Sequence, residues 1–241
     1  MSALKKILFS SIGKKYIMAI SGFGLIGFLV THVAGNLTLL SGNPDHINAY
    51  AAGLKTTLGP LFYPAEFALV GLFLLHIFLA IYINVVEKKA ARPDRYRKPQ
   101  KGKGGPSKFG IAGSNMIITG GLLGFFVVLH VWQIRLSSEF GSKYTTMLNG
   151  KEVADIYRYC VELFASPLTT AFYVGVMVFL GIHLRHGFWS AIQSLGAMKP
   201  EWSKAIYGLG LVIAIVLATA FLILPIYMHF DLASKLFAGS H

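Results

Sequence analysis

Four histidines lie inside long apolar stretches of the 241-residue sequence, and they are its clearest candidates for chemistry. His32, His76, His130 and His183 are each surrounded along the chain by mostly hydrocarbon side chains. An imidazole is costly to bury in such a segment, and where one occurs it commonly serves as a metal ligand or a proton carrier. What these four can do depends on the elements that carry them.

The segments that carry the histidines are long enough to cross a bilayer. Hydrophobic residues make up 54% of the chain, charged residues only 13%, and the mean hydropathy is +0.60, which is too apolar for a soluble domain of this size. A helix of about 20 apolar residues spans a membrane. The sequence predicts an all-α membrane protein, a single integral membrane domain over residues 1–241, with transmembrane helices at about 16–40, 62–86, 111–136, 167–190 and 206–228.

The net charge of +12 predicts the orientation of these helices rather than a nucleic-acid partner. Sixteen of the 22 basic residues lie before the first helix, between the second and third, or near the turn between the fourth and fifth. Nine of them fall between Lys88 and Lys108, so residues 87–110 are expected to form a basic cytoplasmic loop. By the positive-inside rule, the protein is multi-pass in the cell's inner membrane, with a cytoplasmic N-terminus and an external C-terminus.

This orientation places the four histidines in two layers. A helix rises about 1.5 Å per residue, so His32 and His130 lie roughly 24 to 28 Å above the cytoplasmic ends of their helices, whereas His76 and His183 lie about 16 Å above theirs. Unrelated histidines have no reason to pair by depth. The pairs differ by about 10 Å, which is enough for two stacked cofactors.

Two imidazoles in each layer indicate haem rather than another metal. The single cysteine, Cys160, excludes an internal disulfide and any cysteine-ligated cluster or zinc site built by this chain alone. Two protein ligands are too few for structural zinc, but they suit an iron whose macrocycle supplies four nitrogens. We therefore expect the first four helices to form a haem-binding bundle that holds two haem b groups by both axial positions, for electron transfer.

Several polar residues near the predicted cytoplasmic ends are candidates for haem propionate or quinone contacts. His186 follows His183 by three residues and projects to the same side of the fourth helix, nearer the surface. We assign His183 to iron and His186, with Arg185, to a propionate or a quinone carbonyl. We expect His186→Ala to keep both haems. The remaining candidates for such contacts are Lys14, Lys15 and Gln193.

The segments outside the apolar runs suggest less chemistry. Residues 41–61 and 137–166 are expected to be external, the first a loop and the second a polar segment with a short helix near 153–164. His46 is interpreted as a solvated surface residue, and His229 and His241 as incidental. Glu66 marks the external interface, and it is also a weaker candidate for passing protons to a quinone.

The motifs resemble a known family. The run SIGKKYIMAISG from Ser11, His32-x-x-Gly-Asn36, His76, His130 and the run HLRHGFWSAIQSLG from His183 together resemble the diheme cytochrome b subunit of succinate dehydrogenase and fumarate reductase, the b558 family of five-helix membrane anchors. The resemblance covers the first four helices and their flanks.

This resemblance implies a membrane-anchor cytochrome b subunit of a succinate:quinone oxidoreductase, quinone-reactive but not itself catalytic for succinate. It implies a flavoprotein partner with FAD, an iron-sulfur partner, and menaquinone or ubiquinone as substrate. It also implies that His76 and His183 ligate one haem and that His32 and His130 ligate the other. Some relatives that reduce fumarate carry a glutamate two residues before the fourth-helix ligand; Gly181 stands there, which argues against a proton route at that point.

Two other functions remain open from the sequence. One is a cytochrome b subunit of another quinone-linked dehydrogenase, of the hydrogenase or formate dehydrogenase type, which co-purifying subunits would distinguish. The other is a haem-free transporter that uses its histidines as a proton relay.

Overall fold

The computed structural model describes residues 10–87, 116–137 and 142–238, with side chains to residue 231. Within these ranges seven α-helices follow one another, joined by short 3₁₀ and π-helical turns. They are α1 (Ser11–Asn36), α2 (Pro44–Leu58), α3 (Phe62–Ile81), α4 (Met116–Val131), α5 (Ile156–Phe164), α6 (Pro167–Ser194) and α7 (Ser203–Ala238). A two-stranded antiparallel hairpin, β1 (Thr145–Leu148) and β2 (Lys151–Ala154), lies between α4 and α5.

Five helical segments are long and apolar enough to cross a membrane. They begin at Ser11, Pro44, Met116, Pro167 and Pro200. Their surfaces carry large hydrophobic side chains that water would not favour, among them Phe67, Leu74, Ile118 and Val128, each at least 60% exposed. Such side chains suit contact with lipid. A helix is also suited to hydrocarbon because its backbone satisfies its own hydrogen bonds. The predicted all-α membrane fold is confirmed.

The helix bounds differ from the predicted ones mainly at the ends. Helix α1 begins five residues before the expected 16, α6 continues to Ser194, and α7 runs from Ser203 to Ala238. Residues 111–115 and most of the basic loop at 87–110 lie outside the described residues. Gly196, with φ +74°, ends α6 in a Schellman arrangement: Ala197 N–H donates to the Ile192 carbonyl and Gly196 N–H to the Gln193 carbonyl.

The segment at 41–61, predicted to be a loop, is mostly helical. Asn43 caps α2 by accepting a hydrogen bond from Asp45 N–H at 3.0 Å, and Pro44 occupies the first helical turn. Gly42 and Gly59, both with positive φ, flank α2. The loop prediction was wrong because the short polar helix lacks the apolar periodicity that identifies a span.

The polar segment before α6 contains the hairpin as well as the expected short helix. Asn149 and Gly150, both with positive φ, form the two-residue turn, a sequence pair typical of such hairpins. The helix starts at Ile156, three residues later than predicted, because β2 extends to Ala154. The hairpin was not predicted.

The chain divides into two compact units, to which the long helices contribute different portions. The first unit comprises Met1–Ile26, Leu69–Gly121 and Ile182–Ala214; the second comprises Gly27–Ala68, Leu122–Gly181 and Ile215–His241. The first contains His76 and His183, and the second contains His32 and His130.

The second unit has a core that α5 organises. Tyr157, Cys160 and Phe164 of α5 pack with Leu39, Ile47, Tyr173, Leu224 and Met228. Buried Asn48 of α2 ties this core together: its carbonyl oxygen accepts from Ile156 N–H at 2.9 Å, and its amide donates to the Asp155 carboxylate at 3.1 Å. Asp155 in turn caps α5 through Arg158 N–H. Two side chains therefore satisfy the first backbone donors of α5.

Candidate functional site

In the first unit, His76 of α3 lies against a serine and a glycine of α1. Ser21 Oγ is 3.1 Å from His76 Nδ1, and Ser21 is 1% exposed. A Cβ added to Gly22 would lie 3.4 Å from His76 Cε1, so the glycine brings the α1 backbone close to the ring. The Ser-Gly step of α1 thus both contacts and makes room for this imidazole.

His183 of α6 has the same kind of neighbour on α4. Thr119 Oγ1 is 3.2 Å from His183 Nδ1, and Thr119 is buried. A Cβ on Gly120 would come within 3.2 Å of His183 Cε1. The first unit therefore contains both histidines predicted to form one pair, each beside a hydroxyl and a glycine of a neighbouring helix.

In the second unit, His32 of α1 and His130 of α4 face one another. Their ring centres are 6.0 Å apart and their planes are inclined by 82°. Phe28 stacks on His32 at 5.1 Å and Phe126 stacks on His130 at 5.4 Å, each from four residues earlier in its own helix. Apolar rings thus shield both imidazoles.

Polar partners fix the two imidazoles of the second unit. Tyr173 OH lies 3.3 Å from His130 Nδ1 and donates to Gln133 Oε1 at 2.7 Å. Tyr159 OH donates to the Gln133 carbonyl at 2.6 Å, which links α5 to α4. On the other side, the Asn36 amide nitrogen is 3.2 Å from His32 Nε2. An iron on His32 Nε2 requires this amide to turn away.

A groove of about 320 Å³ adjoins Tyr173 in the second unit. Its walls are mostly apolar, with Gln133, Thr169 and Tyr173 as the polar groups. The remaining lining residues are Leu129, Leu168 and Phe172. An apolar groove with a few convergent polar side chains is the usual form of a small-molecule site.

The secondary candidates in α6 are placed differently from one another. His186 is 7% exposed and packs against Trp189 with ring centres 4.8 Å apart, so it is more deeply buried than expected for a residue nearer the surface. Arg185 and Gln193 are exposed. The Gln193 backbone carbonyl accepts the hydrogen bond from Gly196 N–H at the end of α6.

The two basic candidates of α1, Lys14 and Lys15, lie in different surroundings. Lys14 Nζ donates to the Glu87 carboxylate at 2.6 Å and lies 4.5 Å from the centre of the Tyr82 ring, which joins the start of α1 to the end of α3. Lys15 is exposed. Lys14 is therefore part of an ion pair between helices, and any propionate has to share it with Glu87.

Other titratable residues have structural partners. Arg135 holds Glu66 by a bidentate pair at 2.8 and 3.0 Å, while His46 is exposed, as interpreted from the sequence.

His229 is not incidental: its Nδ1 lies 2.8 Å from the Phe164 carbonyl, which ties α7 to the end of α5. Burial raises the pKa of the Cys160 thiol to about 12, so this cysteine is no nucleophile at neutral pH.

Sequence reasoning missed Ser21 and Thr119, although a signal for them exists. Residues 18–33 and 116–131 align without gaps at an offset of 98, and eight of the 16 positions are identical. The alignment superimposes Ser21 on Thr119, Gly22 on Gly120, Phe28 on Phe126 and His32 on His130. This internal repeat identifies the hydroxyl-glycine step as equivalent in α1 and α4.

The donor set fits haem better than a metal held by protein alone. Among the described residues no group of three or more His, Cys, Asp or Glu side chains is placed to hold a metal ion. Two imidazoles on opposite sides of one metal, with bonds of roughly 2 Å as in zinc sites, have ring centres about 6 Å apart. The 6.0 Å between His32 and His130 agrees with that spacing.

The chain matches no family model, no curated protein and no solved structure.

Proposed function

We propose that this chain is the membrane-anchor cytochrome b subunit of a succinate:quinone oxidoreductase. In this proposal it holds two haem b groups, one between His76 and His183 and the other between His32 and His130. It accepts electrons from an iron-sulfur subunit, which is reduced by a flavoprotein with FAD, and it passes them to a membrane quinone.

The observation that carries the proposal is the approach of His32 and His130, whose ring centres are 6.0 Å apart although the residues lie in different helices. This spacing agrees with two imidazoles on one iron, and it joins the two histidines that the sequence predicts to form a pair. The positions of His76 and His183 against equivalent Ser-Gly and Thr-Gly steps support a second pair.

The side chains around each pair suit electron transfer. Bound haem supplies a one-electron centre, and two axial histidines leave no position for oxygen. Phe28 and Phe126 cover the His32 and His130 rings and keep water from them. The hydroxyls of Ser21, Thr119 and Tyr173 hold three of the four imidazoles by Nδ1, which leaves Nε2 of each for iron.

The most direct test is a reduced-minus-oxidised spectrum of the purified complex with a haem determination. We expect b-type absorbance, two haems per chain, and co-purifying subunits that carry flavin and iron-sulfur clusters. Absence of haem would favour the proton-relay transporter. Haem with partners of a hydrogenase or formate dehydrogenase would favour the alternative cytochrome b.

A set of four alanine variants tests the pairing. His76→Ala and His183→Ala should each abolish the same spectral component, and His32→Ala and His130→Ala the other, because a single imidazole leaves iron under-coordinated. His46→Ala, an exposed histidine of α2, is the matched control and should retain both. Loss of one common component in His32→Ala and His76→Ala would show that the pairs are wrong.

A further inference from the structure

The Ser21 hydroxyl has two hydrogen-bond partners, a backbone carbonyl and an imidazole. Ser21 Oγ donates to the Met18 carbonyl at 2.9 Å and is also 3.1 Å from His76 Nδ1. A carbonyl oxygen can only accept, and a hydroxyl has one hydrogen to give. With the hydroxyl hydrogen on the shorter contact, to Met18, Nδ1 of His76 is the donor to Ser21.

Thr119 repeats this arrangement on α4. Its Oγ1 donates to the Met116 carbonyl at 3.3 Å and is 3.2 Å from His183 Nδ1. Thr119 and Met116 are the residues that align with Ser21 and Met18 in the internal repeat. Thr119 is 3% exposed and Ser21 is 1% exposed. A buried polar group is costly unless it makes hydrogen bonds. The same arrangement of hydroxyl, carbonyl and imidazole therefore occurs at both sites.

We propose that Ser21 and Thr119 are paired positioning residues that fix the proton of His76 and His183 on Nδ1. Both imidazoles then present the Nε2 lone pair, each in an orientation set by a neighbouring helix. This inference rests on the proposed function, since Nε2 of both residues is offered to one haem iron. A hydrogen bond accepted from Nδ1–H also makes the imidazole a stronger donor to the metal, which favours the oxidised iron.

The test is a redox titration of the complex in membranes, with electron paramagnetic resonance of the oxidised haems. Ser21→Ala and Thr119→Val remove the hydroxyls. Each should raise the midpoint potential of the haem between His76 and His183 and change its resonance, while the potential and resonance of the other haem stay unchanged. A tenfold change in the equilibrium between oxidised and reduced haem corresponds to about 59 mV. Ser21→Thr and Thr119→Ser keep the hydroxyl and should restore the wild-type values.

Thr31→Ala is the matched control for helix effects. Thr31 of α1 donates to the Phe28 carbonyl at 2.9 Å, as Ser21 does to Met18, but it is exposed. Its removal should leave both potentials unchanged.

Each outcome decides the inference. Loss of one haem in Ser21→Ala and Thr119→Val, with retention in the two conservative variants, would also support it. Unchanged potentials and resonances in the hydroxyl-free variants would overturn it and leave the proposed function standing, since two haems would still be present. If Ser21→Thr and Thr119→Ser changed the midpoint potential and resonance as much as the hydroxyl-free variants do, the inference would be overturned, because side-chain packing would then explain the effect. A wild-type complex without haem would instead overturn the proposed function.

Discussion

At the scale of single residues, Gly22 and Gly120 set how closely two helices approach an imidazole. A Cβ would lie 3.4 Å from His76 Cε1 in one case and 3.2 Å from His183 Cε1 in the other. The 3.2 Å at Gly120 requires the His183 ring to move by a few tenths of an ångström, whereas the 3.4 Å at Gly22 is ordinary van der Waals contact. These two positions connect backbone packing directly to two of the proposed ligands.

We expect Gly120→Ala to weaken binding of one haem, with overpacking that costs about 1 to 3 kcal/mol, and Gly22→Ala to have a smaller effect. The measurement is haem retention of each spectral component during purification. Gly27→Ala and Gly121→Ala are matched controls on the same two helices, because a Cβ at either position meets nothing within 4 Å. Equal losses in the controls would refute the local explanation.

At the scale of secondary structure, Asn48 connects α2 to α5. It is 1% exposed and accepts from the first backbone N–H of α5 while donating to the Asp155 cap. Asn48→Ala should destabilise the start of α5 by about 1 to 3 kcal/mol, because the buried donors lose their acceptor. Faster amide exchange at Ile156 and Tyr157 measures this. His46→Ala, exposed on the same helix, should leave exchange there unchanged.

Glu162 of α5 makes the stability of this region depend on pH. Tyr144 OH donates to Glu162 at 2.6 Å and Arg158 donates at 2.9 Å, and these bonds lower the pKa of the Glu162 carboxyl below its usual range. A lowered folded-state pKa contributes stability that is present above the unfolded pKa and is lost as the pH falls through the folded one. The affected window lies below about pH 4.3.

We therefore expect Glu162→Gln to be less stable than wild type at neutral pH and to lose less stability on acidification, so that the two curves converge below that window. Thermal unfolding in detergent as a function of pH gives this comparison. Glu152→Gln, which removes an exposed carboxylate of β2, is the control and should follow the wild-type curve. Parallel curves for Glu162→Gln and wild type would contradict the assignment.

At the scale of the whole molecule, the orientation in the membrane stays a prediction from charge. Sixteen of the 22 basic residues fall on one predicted side. A reporter that is active only in the cytoplasm should be active when fused after Lys103, and one that is active only outside should be active when fused after Lys151. The reverse pattern would also remove the basis on which histidine depths were compared.

The sequence by itself determined what depends on local composition. Length and hydropathy were sufficient for five spans, since a helix in hydrocarbon satisfies its own backbone, and the four histidines were recognisable because imidazoles are rare in such segments. The internal repeat that marks Ser21 and Thr119 was also present in the residues, although it acquires meaning only once both hydroxyls are seen beside histidines.

Only the tertiary structure decided which distant side chains meet. Ser21 and His76 are 55 residues apart, Thr119 and His183 are 64 apart, and Asn48 and Asp155 are 107 apart. Neither hydropathy nor periodicity encodes such pairs, because they arise where helices pack and buried polar groups must find partners. For the same reason the burial of His186 and the ion pair of Lys14 became visible only in the folded chain.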